Sequence, residues 1–190
     1  MLESESISKT NVLKKWEIRE QQYLIDNKWI KVRQDSVFTG KGIEIPDFYI
    51  IEYPNCINII AITEDEEFIL VRQYRHGIGE IHYELCAGNI ENGENPLDAA
   101  KRELLEETGY CSDNWELYMK CAVNPSMITT FCYTYIARDV KRVSTQNLET
   151  TEDIDVYLLC KDELIQKINN GDIIQGIMLA PLLKFLNNIS

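Results

Sequence analysis

Positive charge is scarce in this sequence. Lysine and arginine together number 19 against 31 aspartates and glutamates, which gives a formal net charge of −12 over 190 residues. Such an excess of acid opposes binding to nucleic acid or to anionic membranes, so we expect neither as a partner. If the substrate is itself an anion, a cation must mediate its binding.

Long apolar segments are also missing. No run approaches the roughly 18–20 apolar residues that a bilayer-spanning helix needs. The opening MLESESISKT contains no apolar core of a signal peptide. We therefore expect a cytoplasmic protein, and a hydrophobic fraction of 45% is enough to build one domain core.

The sequence also lacks paired cysteines and a glycine-rich phosphate-binding loop. The six cysteines include no C-x-x-C pair and mostly lie in apolar, strand-like contexts, which predicts reduced core thiols rather than zinc or disulfide sites. The missing glycine-rich turn argues against a doubly wound nucleotide-binding fold. His76 and His82 have no metal or triad pattern around them, so we assign them no catalytic role.

The periodicity of the remaining sequence predicts a mixed sheet with helices packed against it, which is an α/β fold. An antiparallel hairpin is expected over 16–37, turning at Asp26-Asn27, and another over 55–74. Further strands are predicted at 84–87, 115–123, 130–140 and 153–160, and helices at 96–108, 161–170 and 173–188. Pro181 should kink or split the last helix.

The helix predicted at 96–108 is the best defined, and it carries three clustered glutamates. Asn95 suits its N-cap and Gly109 its left-handed end. Glu103, Glu106 and Glu107 project from one face within about one turn, where like charges repel. A hard divalent cation such as Mg²⁺ takes oxygen ligands and would offset the repulsion, whereas a solvated acidic face is the alternative.

A longer pattern surrounds these glutamates, G-x5-E-x7-R-E-U-x-E-E-x-G-U, in which U is a bulky apolar or aromatic residue. The residues that match it are Gly88, Glu94, Arg102, Glu103, Leu104, Glu106, Glu107, Gly109 and Tyr110. This is the Nudix box, and the chain resembles a Nudix hydrolase. The resemblance implies an α/β/α sandwich with a mixed sheet, whose loop-helix-loop binds divalent metal and hydrolyses a nucleoside diphosphate linked to another moiety.

The same resemblance implies roles for individual residues. Glu103, Glu106, Glu107 and the main-chain carbonyl of Ala87 would be the metal ligands, with Mg²⁺ as the metal and Mn²⁺ as its substitute. Glu106 also belongs to the implied catalytic set, as does Arg102, which would orient the glutamates. The number of metal ions stays open.

Segments outside the box resemble one branch of the superfamily. ILVRQYR and ELCAGNIENGE are similar to the LVRQYR and ELPAG signatures of ADP-ribose and ADP-sugar pyrophosphatases, and Pro125 stands sixteen residues after Gly109, as in that branch. This implies Mg²⁺-dependent hydrolysis of the pyrophosphate of ADP-ribose, or a related ADP-sugar, to AMP and a sugar phosphate. The alternatives are another nucleotide sugar such as GDP-mannose, or a Nudix-fold sensor that binds nucleotide without cleaving it.

Substrate contacts are also implied by that branch. Arg75 corresponds to an arginine that meets the substrate phosphates, with a surface charge as its alternative role. Glu84 corresponds to a substrate-contacting position, or else pairs with Arg72 or Arg75. Trp29 aligns with an aromatic residue that stacks on adenine, with half-buried packing as the alternative.

The general base is expected in a loop near the end of the chain. Glu152 occupies the place of the family's loop glutamate, Glu149 could substitute for it, and either could instead cap a strand. The sequence departs from the branch at Cys86, which replaces the proline of ELPAG and is expected to loosen the approach to the Ala87 carbonyl. It departs again at SMITT after Pro125, which leaves the sugar preference open.

Two segments are expected along the chain. Residues 1–50 should form an N-terminal strand segment and residues 51–190 the Nudix domain. If the N-terminal strands carry Trp29 and Ile30 outward, the chain should form a homodimer that exchanges this segment, as relatives do, which would also cover a sheet edge.

Overall fold

The computed structural model describes residues 13–188. The strands in that range are β1 (Glu17–Asp26), β2 (Lys31–Phe38), β3 (Glu44–Glu52), β4 (Cys56–Thr63), β5 (Phe68–Arg75), β6 (Glu80–Glu84), β7 (Cys86–Asn89), β8 (Tyr110–Cys111), β9 (Asn114–Ala122), β10 (Phe131–Arg142) and β11 (Ile154–Leu159). The helices are α1 (Pro96–Thr108), α2 (Lys161–Asn169) and α3 (Gly176–Asn188). None of these helices is long and apolar enough to cross a membrane.

The chain forms two compact units. The first comprises the described residues up to Tyr53 together with Ser126–Ile128, and the second comprises the rest. The first unit is an antiparallel sheet in the order β1-β2-β3, which confirms the predicted hairpin. Strand β3 was not expected from the sequence, and it lies at the sheet edge, with Pro46 at a break in its register with β2.

The second unit is built on an eight-stranded mixed sheet. Its path runs β11-β5-β4-β10-β8, with β6 beside β5, β7 beside β4 and β9 beside β10, and only β4 and β10 are paired in parallel. Helix α1 covers one face, where Ile57, Ile59 and Leu104 lie in the core. The other face packs against α2 and α3 through a second core that includes Leu70, Leu164 and Leu182. The α/β class and the mixed sheet are confirmed.

Helix α3 runs through Pro181 without splitting, so the split is excluded as one of the two predicted effects of this proline. A proline at this position removes the N–H that would reach the carbonyl of Ile177. The side chain of Asn58, buried in β4, donates to that carbonyl instead at 2.9 Å. The Asn58 side chain therefore satisfies the Ile177 carbonyl that Pro181 leaves without its helical donor. The buried packing of Pro181 further stabilises the helix.

Candidate active site

Helix α1 begins and ends where the sequence predicts. The Asn95 side chain accepts a hydrogen bond from the Leu97 N–H at 2.9 Å, and Pro96 occupies the first turn. Gly109 ends the helix with a φ of 77°. The caps fix the register of the helix, and therefore the direction in which each glutamate points.

Two of the glutamates belong to the face of α1 that packs on the sheet. Positions 100, 103, 104 and 107 follow helical spacing, so Glu103 and Glu107 extend the stripe formed by buried Ala100 and Leu104. The Glu103 side chain is 13% exposed and Glu107 is 3% exposed, whereas the Glu106 side chain is 39% exposed at the margin. A solvated acidic face, the alternative considered above, is therefore excluded for Glu103 and Glu107.

Glu107 is a buried carboxylate held against strand β7. Its Oε2 accepts the Ala87 N–H at 3.2 Å, and its carboxylate is hydrogen-bonded to the Cys86 thiol. Burial raises the pKa of Glu107 to about 8, and the charges of Glu103 and Glu152 act in the same direction. Cys86, the departure from ELPAG, is thus a fully buried residue beside a predicted metal ligand.

The guanidinium of Arg102 forms hydrogen bonds with three acidic side chains. It forms a two-pronged pair with Glu94, at 2.9 Å and 3.1 Å, and its Nη1 donates to Glu103 at 2.8 Å and to Glu106 at 3.2 Å. Its Nη2 also donates to the Asn89 carbonyl at 3.2 Å. These hydrogen bonds, that to Glu94 foremost, raise the pKa of Arg102. Arg102 is thus in contact with Glu94, Glu103 and Glu106, and its role in orienting the metal-binding glutamates stays a prediction.

Strand β7 approaches α1 so closely at position 88 that any side chain there would displace the Glu103 carboxylate. A Cβ there would lie 2.0 Å from Oε1 and 2.1 Å from Cδ of Glu103. The Glu103 carboxylate therefore lies over the backbone of Gly88. The first glycine of the box is required by this contact rather than by a left-handed backbone.

Replacing Gly88 by alanine is expected to weaken Mg²⁺ binding by roughly 10- to 100-fold, the range for losing a group that orients a ligand. The added methyl must push the Glu103 carboxylate away, while the melting temperature changes little because the displaced atoms end a flexible side chain. Calorimetric titration and thermal unfolding would measure the two effects. Gly176→Ala is the matched control because a Cβ there meets nothing within 4 Å; equal Mg²⁺ affinity in both variants would contradict the prediction.

The predicted metal ligands fit a hard divalent cation by donor type. They are carboxylate oxygens and one carbonyl oxygen, and the raised pKa of Glu107 reflects a buried acidic group that a cation would neutralise. Within residues 13–188, however, no three His, Cys, Asp or Glu side chains are arranged to hold a metal ion. The guanidinium of Arg102 draws Glu103 and Glu106 toward itself, so binding requires these two side chains to reorient.

A loop between β10 and β11 brings Glu152 to this cluster. The Gln146 side chain fastens the loop, because its Nε2 donates to the Glu107 carbonyl at 2.7 Å and to the Ile154 carbonyl at 2.9 Å. The charge of Glu152 raises the pKa of both Glu103 and Glu107. Its carboxylate also accepts the Glu149 N–H at 2.9 Å. Glu152 therefore lies near the buried glutamates and caps its own loop.

Arg75 and Glu84 form an ion pair on the α1 side of the sheet. Arg75 Nε and Nη2 donate to the two Glu84 oxygens at 2.9 Å and 2.6 Å, and Gln73 adds a bond at 3.3 Å. Glu84 is 2% exposed, whereas the Arg75 side chain is 40% exposed. Arg72 is excluded as the partner because alternation along β5 turns it to the opposite face, over Tyr83. A cleft of about 650 Å³ opens beside this pair.

Comparison with known proteins decides the family. Residues 52–177 match the NUDIX domain. The chain belongs to the NUDIX domain family. A curated relative, the methanol dehydrogenase activator of Bacillus methanolicus, is 31% identical over 158 residues, covering 76% of this chain and 84% of its own. The ADP-ribose pyrophosphatase of Mycobacterium tuberculosis (strain ATCC 25618 / H37Rv) is 28% identical, covering 80% and 74%.

A solved structure, a crystal structure of an ADP compounds hydrolase, shares the fold of this Nudix chain. It covers 96% of the chain and 99% of its own length with a TM-score of 0.81, at 20% sequence identity. Nudix hydrolases generally use divalent metal ions. The oxygen donors around α1 are therefore of the kind expected in a family that uses divalent metal ions.

The adenine-stacking residue implied by the sequence lies in the other unit of the Nudix chain. Trp29 is on the turn between β1 and β2 and is 71% exposed, with Lys28 Nζ 4.2 Å from the centre of its ring. The half-buried alternative is therefore wrong, and its stacking role stays a prediction. Gln146, which fastens the Glu152 loop, was missed because an isolated loop glutamine carries no pattern.

The stability of the metal-free Nudix protein is expected to fall as pH rises from about 5 to about 8. Folded Glu107 keeps its proton up to about pH 8, whereas the unfolded carboxyl loses it near 4.5, so the unfolded state releases the proton first. The loss should be on the order of a few kcal/mol. Urea unfolding across this range would show it, and Glu107→Gln should remove much of the slope while Glu106→Gln keeps it.

Proposed function

We propose that the protein hydrolyses the pyrophosphate of ADP-ribose, or of a related ADP-sugar, to AMP and a sugar phosphate, with Mg²⁺ as cofactor and Mn²⁺ as a substitute. The observation that carries the proposal is the meeting of three features on one face of the sheet: the buried glutamates of α1, the loop carboxylate Glu152 and the Arg75–Glu84 pair. The charge of Glu152 also acts on Arg75.

Mg²⁺ bound to Glu103, Glu106, Glu107 and the Ala87 carbonyl would offset the negative charge of a pyrophosphate and lower the pKa of a water. This supplies the cation that a chain of net charge −12 needs for an anionic substrate. Bonds to Glu94 and the Asn89 carbonyl keep Arg102 beside Glu103 and Glu106, and its assigned role is to orient these carboxylates once they have turned to the metal.

Arg75 is the residue that we assign to the substrate phosphates. Glu84 engages its Nε and Nη2, so the pair fixes the plane of the guanidinium and leaves Nη1 out of the pair. The cleft beside it has room for part of a nucleotide sugar. Glu84 therefore acts chiefly by holding Arg75 in place.

Glu152 is assigned as the general base that takes a proton from the attacking water. Glu152→Gln should lower kcat by about 10²- to 10³-fold, because general base catalysis is worth about 10²–10⁴-fold. Glu149→Gln should stay close to wild type, since Glu149 contributes its backbone N–H to the contact with Glu152. Steady-state kinetics of both variants would decide, and a larger loss for Glu149→Gln would reverse the assignment.

We also propose a homodimer formed through the N-terminal strands, in which Trp29 stacks on adenine. Every residue of β1 is exposed, including Ile18, Tyr23, Leu24 and Ile25. So much exposed apolar surface on one strand favours a protein partner. Sedimentation velocity should show a dimer, and Trp29→Ala should raise KM for ADP-ribose; a monomer that keeps full activity would overturn this part.

Products from a substrate panel test the proposed reaction. ADP-ribose, ADP-glucose and GDP-mannose would each be incubated with the full chain and Mg²⁺, and nucleotide products separated by chromatography. AMP from ADP-ribose at the highest kcat/KM supports the proposal. GMP from GDP-mannose as the main product would overturn the substrate, and binding without cleavage of any of the three would favour the sensor.

A second candidate function is activation of a methanol dehydrogenase. The observation that favours it is the 31% identity to the methanol dehydrogenase activator. Adding the protein to a methanol dehydrogenase, with wild type and Glu106→Gln in parallel, would test it. A rise in dehydrogenase rate with wild type alone would show that activation depends on the hydrolytic site.

A further inference from the structure

Three cysteines lie side by side on adjacent strands of the second unit. Cys56 of β4 is the register partner of Cys132 of β10, and Cys132 is in turn the partner of Cys121 of β9. Side chains of paired residues stand on the same face of a sheet. Sequence separation hides this row, because the three residues belong to different strands with no common spacing.

Within this row, Cys56 and Cys132 are directly paired across parallel strands. The interaction between the two thiols lowers the pKa of Cys56 and raises that of Cys132. Cys132 is fully buried, whereas Cys56 and Cys121 are partly exposed. Cys56 is therefore the more reactive and more accessible member of the pair.

The backbone spacing suits a bond between them. Neighbouring strands lie about 4.7–4.9 Å apart, which is inside the range of about 4.4–6.8 Å for the Cα atoms of a disulfide. All six cysteines are free thiols in the structure. The pair is thus a reduced dithiol whose oxidation needs little movement of the backbone.

We propose that Cys56 and Cys132 are a peroxide-oxidised dithiol that closes to a reversible disulfide. The Cys56 thiolate attacks one oxygen of hydrogen peroxide, the O–O bond breaks, and the departing hydroxide takes a proton to become water. The Cys132 sulfur then attacks the resulting Cys56 sulfenic acid, the S–O bond breaks, and a second water leaves. Two electrons pass from the sulfurs to the peroxide.

The proposal is independent of the hydrolytic function, and so is its test. The full chain would be treated with a small excess of hydrogen peroxide, its remaining thiols alkylated under denaturing conditions, and its peptides mapped without reduction. The expected result is loss of two of the six thiols, a Cys56–Cys132 cross-link, and recovery of both thiols with dithiothreitol. Chain oxidised in urea is the matched control, in which the pairing should become mixed.

Cysteine variants test the pairing without replacing either member of the pair. Cys121→Ser should keep the cross-link, and so should Cys111→Ser with Cys160→Ser, which removes the two exposed thiols. A Cys56–Cys121 link, a bond between chains through Cys111 or Cys160, or overoxidation of Cys56 without any cross-link would each overturn the proposal.

Discussion

Replacing Glu106 by glutamine is expected to lower kcat for ADP-ribose by about two to three orders of magnitude. A bound metal contributes several kcal/mol to stabilising the transition state, and each 1.36 kcal/mol is a factor of ten. Glu106 is the most exposed of the three glutamates on α1, so its loss removes a charged oxygen donor without opening the core. Steady-state AMP release at saturating Mg²⁺ would measure the change.

The same substitution should leave the fold almost unchanged. Glu106 receives one bond of 3.2 Å from Arg102, which keeps Glu94 and Glu103 as partners. Glu116→Gln on β9 is a suitable control because it removes an exposed carboxylate outside α1. Equal rates for the two variants, with equal melting temperatures, would refute a metal-binding role for Glu106.

Replacing Arg75 by alanine is expected to affect both stability and substrate binding. Glu84 is 2% exposed, and without Arg75 its charge would keep only the Gln73 side chain as a partner. Removing one member of a buried ion pair costs about 3–5 kcal/mol, and we expect about 2–3 kcal/mol here because Arg75 reaches solvent. KM for ADP-ribose should rise at least about tenfold if a charge-assisted bond to phosphate is lost.

A double variant separates these two effects. Arg75→Ala with Glu84→Gln leaves no unpaired buried charge, so urea unfolding should recover most of the lost stability. KM should stay high, because no guanidinium is restored. Recovery of KM together with stability would show that Arg75 acts only through folding and does not meet the substrate.

The sequence predicted α1 and its caps almost to the residue, because capping and helix-ending residues act locally. For Glu84 it gave an ion pair with Arg72 or Arg75 as the alternative to a substrate contact, and it could not choose between the two arginines. Alternation along β5 decides that choice, once the register with β6 is known. Strand β3 was missed because Pro46 inside it and Pro54 just after it obscure its pattern.

Features of the site that depend on long-range packing could not be predicted from the sequence. The burial of Glu103 and Glu107 follows from α1 lying on β7, and the clash at Gly88 follows from the same contact. Helix α3 survives Pro181 because Asn58, far away in the chain, donates to the freed carbonyl. The position of Glu152 depends on Gln146 and on the end of α1, neither of which a local motif records.

The most direct test of the central claim is AMP release from ADP-ribose by the intact chain in Mg²⁺, after EDTA, and after Mg²⁺ is restored. If the glutamates of α1 hold a metal that drives hydrolysis, activity should disappear with EDTA and return with Mg²⁺. Hydrolysis that continues unchanged in excess EDTA would contradict the account, whatever the substrate preference proves to be.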